Sequence, residues 1–173
     1  MGTVTLITGG ARSGKSAHAL ALGLHAPGAR RFFIATAEAL DDEMHERIAH
    51  HRANRSAEFA TIEEPLAIEA SLSELASSAD IVVVDCLTLW ISNLLTAGRD
   101  DDAILSEARG LAGAMGEASF ASIVVTDEVG AGIVPYSATA RRFRDLLGWT
   151  NQTVAQAAER VVLMVAGYPL RVK

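Results

Sequence analysis

Eight residues near the start of the chain, Gly9-Gly10-Ala11-Arg12-Ser13-Gly14-Lys15-Ser16, follow the pattern G-x-x-x-x-G-K-[ST]. The spacing has a chemical reason. Glycines let the backbone wrap close to a cluster of oxygens, so several N–H groups point inward. A helix opening near Lys15 aims the positive end of its dipole at the same place. Lys15 supplies a point charge with reach to β- and γ-phosphates, and the Ser16 hydroxyl can ligate Mg²⁺. The flanks agree: the apolar run Val4–Ile7 reads as a strand and Ala17–Leu24 as a helix. The pattern points to a nucleoside triphosphate, and leaves open what the nucleotide is for.

A loop of this kind works with a carboxylate at the end of a neighbouring strand. Asp85 ends the run Ile81-Val82-Val83-Val84, and Asp127-Glu128 ends Ile123-Val124-Val125-Thr126. Each also reads as a strand-end acid capping the next helix. The choice between Asp85 and Glu128 as the metal ligand stays open.

The segment Asp41–Arg52 sets acids at its start and histidines and arginines at its end, as a helix dipole favours. His50 falls away from the Met44/Ile48 stripe. Glu46, four residues earlier, can orient its ring, and Arg47 disfavours its protonation. Spacing alone leaves three readings: a solvated helix end, a nucleophile or proton shuttle, and a metal site. The metal reading lacks a clustered third ligand.

Strand-like runs alternate with helical stretches. Strands are predicted over Thr3–Thr8, Arg31–Thr36, Asp80–Leu87, Ser122–Glu128 and Arg160–Ala166, with a short last one near Leu170–Val172. Helices are predicted over Asp41–Asn54, Leu66–Ala76, Asp101–Gly116 and Thr139–Glu159; the last carries Phe143, Leu147, Val154 and Ala158 on one face. Uninterrupted β-branched strands belong to a parallel sheet covered on both faces, which gives a doubly wound α/β domain over residues 1–173. Leu89-Trp90-Ile91 reads either as an exposed contact face or as an ordinary buried helix. A formal net charge of −6 argues against a nucleic-acid partner, and Arg141, Arg142 and Arg144 read as a solvated helix face. No apolar stretch approaches membrane-spanning length, and a lone Cys86 suits a reducing cytoplasm.

Together these segments resemble the bifunctional adenosylcobinamide kinase/adenosylcobinamide-phosphate guanylyltransferase family of cobalamin assembly. The similarity runs from Thr8–Ser16 through Ile34-Ala35-Thr36, Asp41–Met44, Arg47-Ile48, His50-His51 and Asn93-Leu94-Leu95. It continues through Glu128–Pro135, Arg142–Asp145, Gly148 and Asn151-Gln152. The resemblance implies a P-loop, RecA-like sheet with helices on both faces. It implies Mg²⁺, with ATP and GTP as substrates and adenosylcobinamide as the acceptor. It gives His50 the role of carrying GMP, and it adds Thr36-Ala37-Glu38, Ala53-Asn54-Arg55-Ser56, Glu63, Glu64 and Asp85 to the nucleotide site. It also implies a homo-oligomer, a trimer in the family.

Overall fold

The computed structural model describes residues 2–38 and 57–173. In chain order the elements are β1 (Val4–Gly9), α1 (Lys15–His25), β2 (Arg31–Ala35), β3 (Phe59–Glu63), α2 (Ile68–Glu74) and β4 (Ile81–Asp85). Then come α3 (Leu87–Thr96), α4 (Asp101–Glu117), β5 (Ala121–Val125), α5 (Ala138–Ala157), β6 (Arg160–Val165) and β7 (Tyr168–Arg171). The strands form one sheet in the order β3-β2-β4-β5-β1-β6-β7. Every pairing is parallel except β6 with β7, which form a hairpin.

The period of two explains why the central strands read as unbroken apolar runs. Val82 and Val84 point to one face, into the core built with Ile68, Trp90, Leu111 and Leu147. Ile81 and Val83 point to the other face, into a second core with Ala19 of α1. All four are buried, so β4 has no polar side between its ends. The α5 stripe behaves as its spacing predicts: Leu147, Val154 and Ala158 are buried and Phe143 packs against them.

Local differences from the sequence reading have physical causes. The strand predicted over Asp80–Leu87 stops at Asp85, because α3 begins at Leu87. Of the two readings of Leu89-Trp90-Ile91, the structure shows the buried helix, with Trp90 and Ile91 in the core. The sequence reading missed β3, an edge strand whose side chains are mostly exposed and whose Glu63 breaks the apolar pattern. Helix α2 starts at Ile68 rather than Leu66, because Glu64 Oε1 accepts from the N–H groups of Leu66 and Ala67 and holds that turn outside the helix.

The arginine trio differs as well. Arg144 donates to the carbonyls of Gly130, Gly132 and Ile133, and Arg141 to those of Pro135 and Tyr136. Arg142 pairs with Asp101 at 2.6 Å. Arg141 and Arg144 knit the 130–136 loop to α5, and Arg142 ties α5 to the start of α4, where the charge pattern had suggested only a solvated face.

Candidate functional site

Register brings the functional strand ends level. Ile7 of β1 lies opposite Val125 of β5, and Val125 opposite Asp85 of β4. The Gly9–Ser16 loop leaves β1 at this edge, where parallel sheets collect ligands. A cleft of about 660 Å³ opens there, lined by Ala11–Ala17, Ala37, Asp85, Cys86, Thr88, Leu89, Val125, Asp127, Glu128 and Val129.

The loop backbone accounts for its glycines. Gly9 sits at φ +152°, and a Cβ there would lie 2.6 Å from the Met164 carbonyl oxygen and 2.8 Å from Ser13 Oγ. Gly14 sits at φ +94° as the residue that opens α1. Arg12 adopts φ 56°, unusual for a residue with a side chain and of the kind held at functional sites. No side chain caps α1, whereas Asp100 and Ser137 cap α4 and α5. The first N–H groups of α1 have no upstream carbonyl within the helix and face the loop. Ser13 Oγ is buried with no hydrogen-bond partner among the described residues. These donors suit phosphate oxygens.

Lys15 is buried at the centre of this edge. Its Nζ donates to the Gly10 carbonyl at 2.6 Å and pairs with Asp127 Oδ1 at 2.6 Å. Asp127 lies two residues beyond β5 and is held by its main chain: its N–H donates to Thr88 Oγ1 at 2.8 Å, and its carbonyl accepts from Asn151 Nδ2 at 3.1 Å. Asn151 is itself fixed, because its Oδ1 accepts from the Thr126 hydroxyl at 2.7 Å. The sequence reading noted Asp127 beside Glu128 without giving it a role. The parallel β1–β5 pairing was the missing signal.

Asp85 and Ser16 line the same cleft. They bring two hard oxygen donors, the kind of set that holds Mg²⁺ together with waters and substrate phosphates. Glu128 also lines the cleft, with its carboxylate accepting from the Gly130 N–H at 2.8 Å. Cys86 is there too, but its thiol is pushed up to about 12, by burial first and then by the charge of Asp85. A thiol held neutral in this way is not a nucleophile.

The other candidates are placed as follows. Thr36 is buried, and its hydroxyl both donates to the Cys86 carbonyl and accepts from the Cys86 N–H, each at 2.8 Å. Asn93 Nδ2 donates to the Thr36 carbonyl at 2.8 Å and to the Pro65 carbonyl at 3.1 Å. This network ties the ends of β2, β3 and β4 to α3 and fixes where Ala37 and Asp85 stand. Ala37 lines the cleft and Glu38 is exposed just past it. Glu63 ends β3 opposite Ala35, and Glu64 is engaged in turning the chain into α2. His50, Ala53, Asn54, Arg55 and Ser56 lie outside the described residues, as does the predicted helix Asp41–Asn54. No helix among the described residues is long and apolar enough to cross a membrane.

Comparison with known proteins adds the chemistry. Residues 5–172 match the family described as cobinamide kinase / cobinamide phosphate guanyltransferase. A bifunctional adenosylcobalamin biosynthesis protein of Pseudomonas aeruginosa is 45% identical over 168 residues, covering 97% of this chain and 96% of the relative. Proteins of the same description from Escherichia coli and Salmonella typhimurium are each 39% identical over 180 residues, covering 97% of this chain and 98% of each relative. Among solved structures, the crystal structure of the RadB recombinase superposes with a TM-score of 0.56 at 16% identity, over 93% of this chain and 73% of that one. That likeness concerns the fold, a RecA-like P-loop sheet.

Proposed function

This chain belongs to the cobinamide kinase/cobinamide phosphate guanyltransferase family, and from that premise we infer that both reactions use the cleft around Lys15. Its activities are those of cobinamide kinase and cobinamide phosphate guanylyltransferase in adenosylcobalamin biosynthesis. In the first step the γ-phosphoryl group of ATP or GTP passes to the hydroxyl of adenosylcobinamide. In the second, His50 attacks the α-phosphorus of GTP: a P–N bond forms, a P–O bond breaks, and pyrophosphate leaves. The phosphorylated cobinamide then attacks the guanylyl-histidine. The P–N bond breaks, adenosylcobinamide-GDP departs, and His50 is restored. A neutral imidazole is a good nucleophile at phosphorus, and its phosphoramidate is a reactive donor.

The observation that carries this reading is the joining of the Gly9–Ser16 loop, Lys15, Asp85 and Asp127 at one sheet edge. The loop N–H groups and Lys15 hold phosphate oxygens and offset the charge that develops on them. Ser16 and Asp85 would hold Mg²⁺, which would supply further charge neutralisation. Thr36 acts by positioning, through Cys86, rather than by touching phosphate. The enzyme works in the cytoplasm as a homo-oligomer, a trimer by the family's pattern. Support comes from the large apolar side chains Ile133, Val134 and Tyr136, and from edge strand β7 with Tyr168 and Leu170, all exposed in the single chain.

The test is the intact mass of the protein after incubation with GTP and Mg²⁺, for the unmodified chain and for His50→Ala. The expected result is an acid-labile gain of one GMP that disappears in the variant. Nucleotide consumption with cobinamide but no mass gain would leave a kinase alone and remove the role given to His50.

A further inference from the structure

The ion pair between Lys15 and Asp127 has to open when the site takes a polyphosphate. A carboxylate 2.6 Å from the loop lysine occupies the charge that the phosphates need. The lysine side chain is only 9% exposed and its carboxylate partner 27%. Screening by solvent is therefore weaker than for a surface pair, and a second anion entering beside Asp127 meets appreciable repulsion.

The anchoring of Asp127 shows which part can move. Thr88 and Asn151 hold its main chain, so the backbone keeps its place. The carboxylate has only side-chain torsions to change, and Lys15 keeps its bond to the Gly10 carbonyl as a pivot. Exchange of Asp127 for a phosphate oxygen thus needs no rearrangement of the sheet edge.

We propose that Asp127 is the counter-ion of Lys15 and gives the lysine up to incoming phosphates. It is a specificity-determining residue of the phosphate loop. A ligand must bring enough phosphate charge to Lys15 to replace a carboxylate, so a triphosphate is favoured over a ligand that contacts the loop weakly. On the way out, Asp127 takes the lysine back and speeds departure of the leaving phosphates. The inference rests on the reading that the Gly9–Ser16 loop binds nucleotide phosphates.

The experiment is a calorimetric titration with GTP in EDTA, so that no divalent cation masks the carboxylate, on the unmodified protein, Lys15→Ala, Asp127→Asn and Asp127→Ala. Removing a like charge at this distance is expected to tighten GTP binding by about 10-fold or more in both Asp127 variants. A stopped-flow chase should show slower GTP release. A merely structural Asp127 predicts the opposite, since damage to the edge weakens binding. Equal or weaker binding in both Asp127 variants, with binding lost in Lys15→Ala, overturns the counter-ion role alone. Equal binding by the unmodified protein and Lys15→Ala would overturn the phosphate-loop reading beneath it.

Discussion

Strand β4 carries an aspartate beside each end, and the two ends use acid in opposite ways. At the start, Asp80 closes a structural clasp. Its Oδ2 accepts from the N–H groups of Ala29 and Arg30 at 3.0 Å each, and its Oδ1 takes two bonds from the Arg30 guanidinium, the shorter at 2.6 Å. At the far end, Asp85 faces the cleft, and beside it Asp127 makes an ion pair of the same 2.6 Å length with Lys15. Distance does not separate these pairs; their surroundings do. The Arg30 pair completes a turn in which every partner is already present. The Lys15 pair stands in a cleft beside the uncapped start of α1 and Ser13 Oγ, which is buried with no hydrogen-bond partner among the described residues. One end of the sheet is closed by a clasp, and the other opens into a cleft.

Lys15→Ala puts the strongest strain on that contrast. It should lower kinase and guanylyltransferase turnover per folded molecule by about 100-fold or more, as loss of a charge-stabilising donor does. Assays of both steps beside a denaturation curve check it.

Gly28→Ala attacks the other end. Gly28 sits at φ +120°, and a Cβ there would lie 2.4 Å from Asp80 Cβ. The substitution should destabilise by about 1–3 kcal/mol, seen as a lower melting temperature. Turnover per folded molecule should be unchanged.

Thr36→Val lies between the two regimes. It removes both bonds to Cys86 from a buried position, so a loss of about 1–3 kcal/mol in urea unfolding is expected. Thr36→Ser should recover most of it. A direct phosphate contact by Thr36 would instead appear as weakened GTP affinity at undiminished stability.

The smallest effect concerns acid. Hydrogen bonding to the Arg30 side chain, then to its backbone N–H, holds the Asp80 carboxyl well below the usual carboxylate range. A depressed pKa gives stability that is complete above the unfolded value and is lost as pH falls toward the folded one. The gap in urea midpoint between the unmodified chain and Asp80→Asn should therefore be full at neutral pH and shrink below about pH 4. A gap independent of pH would show that the clasp does not act through charge.

The parts of the molecule legible in the sequence were those whose signal is local. Gly9–Ser16 carries its chemistry in eight consecutive residues, and Ile81–Val84 shows burial on both faces by having no polar member. What was not legible depends on pairing at long range. Thr36 meets Cys86 fifty residues away, and only the β2–β4 register puts them together. Asp127 reaches Lys15 because β5 lies beside β1, which composition does not disclose. Arg141 and Arg144 looked like a solvated face because their acceptors are backbone carbonyls, which leave no mark in a charge pattern.

The central claim is that one cleft serves both reactions, and it is tested most directly by assaying cobinamide phosphorylation and guanylyl transfer separately in Lys15→Ala and His50→Ala. The account predicts that Lys15→Ala loses both and that His50→Ala loses guanylyl transfer while phosphorylation persists. Retention of either activity by Lys15→Ala would contradict it, because the two reactions would then occupy different sites.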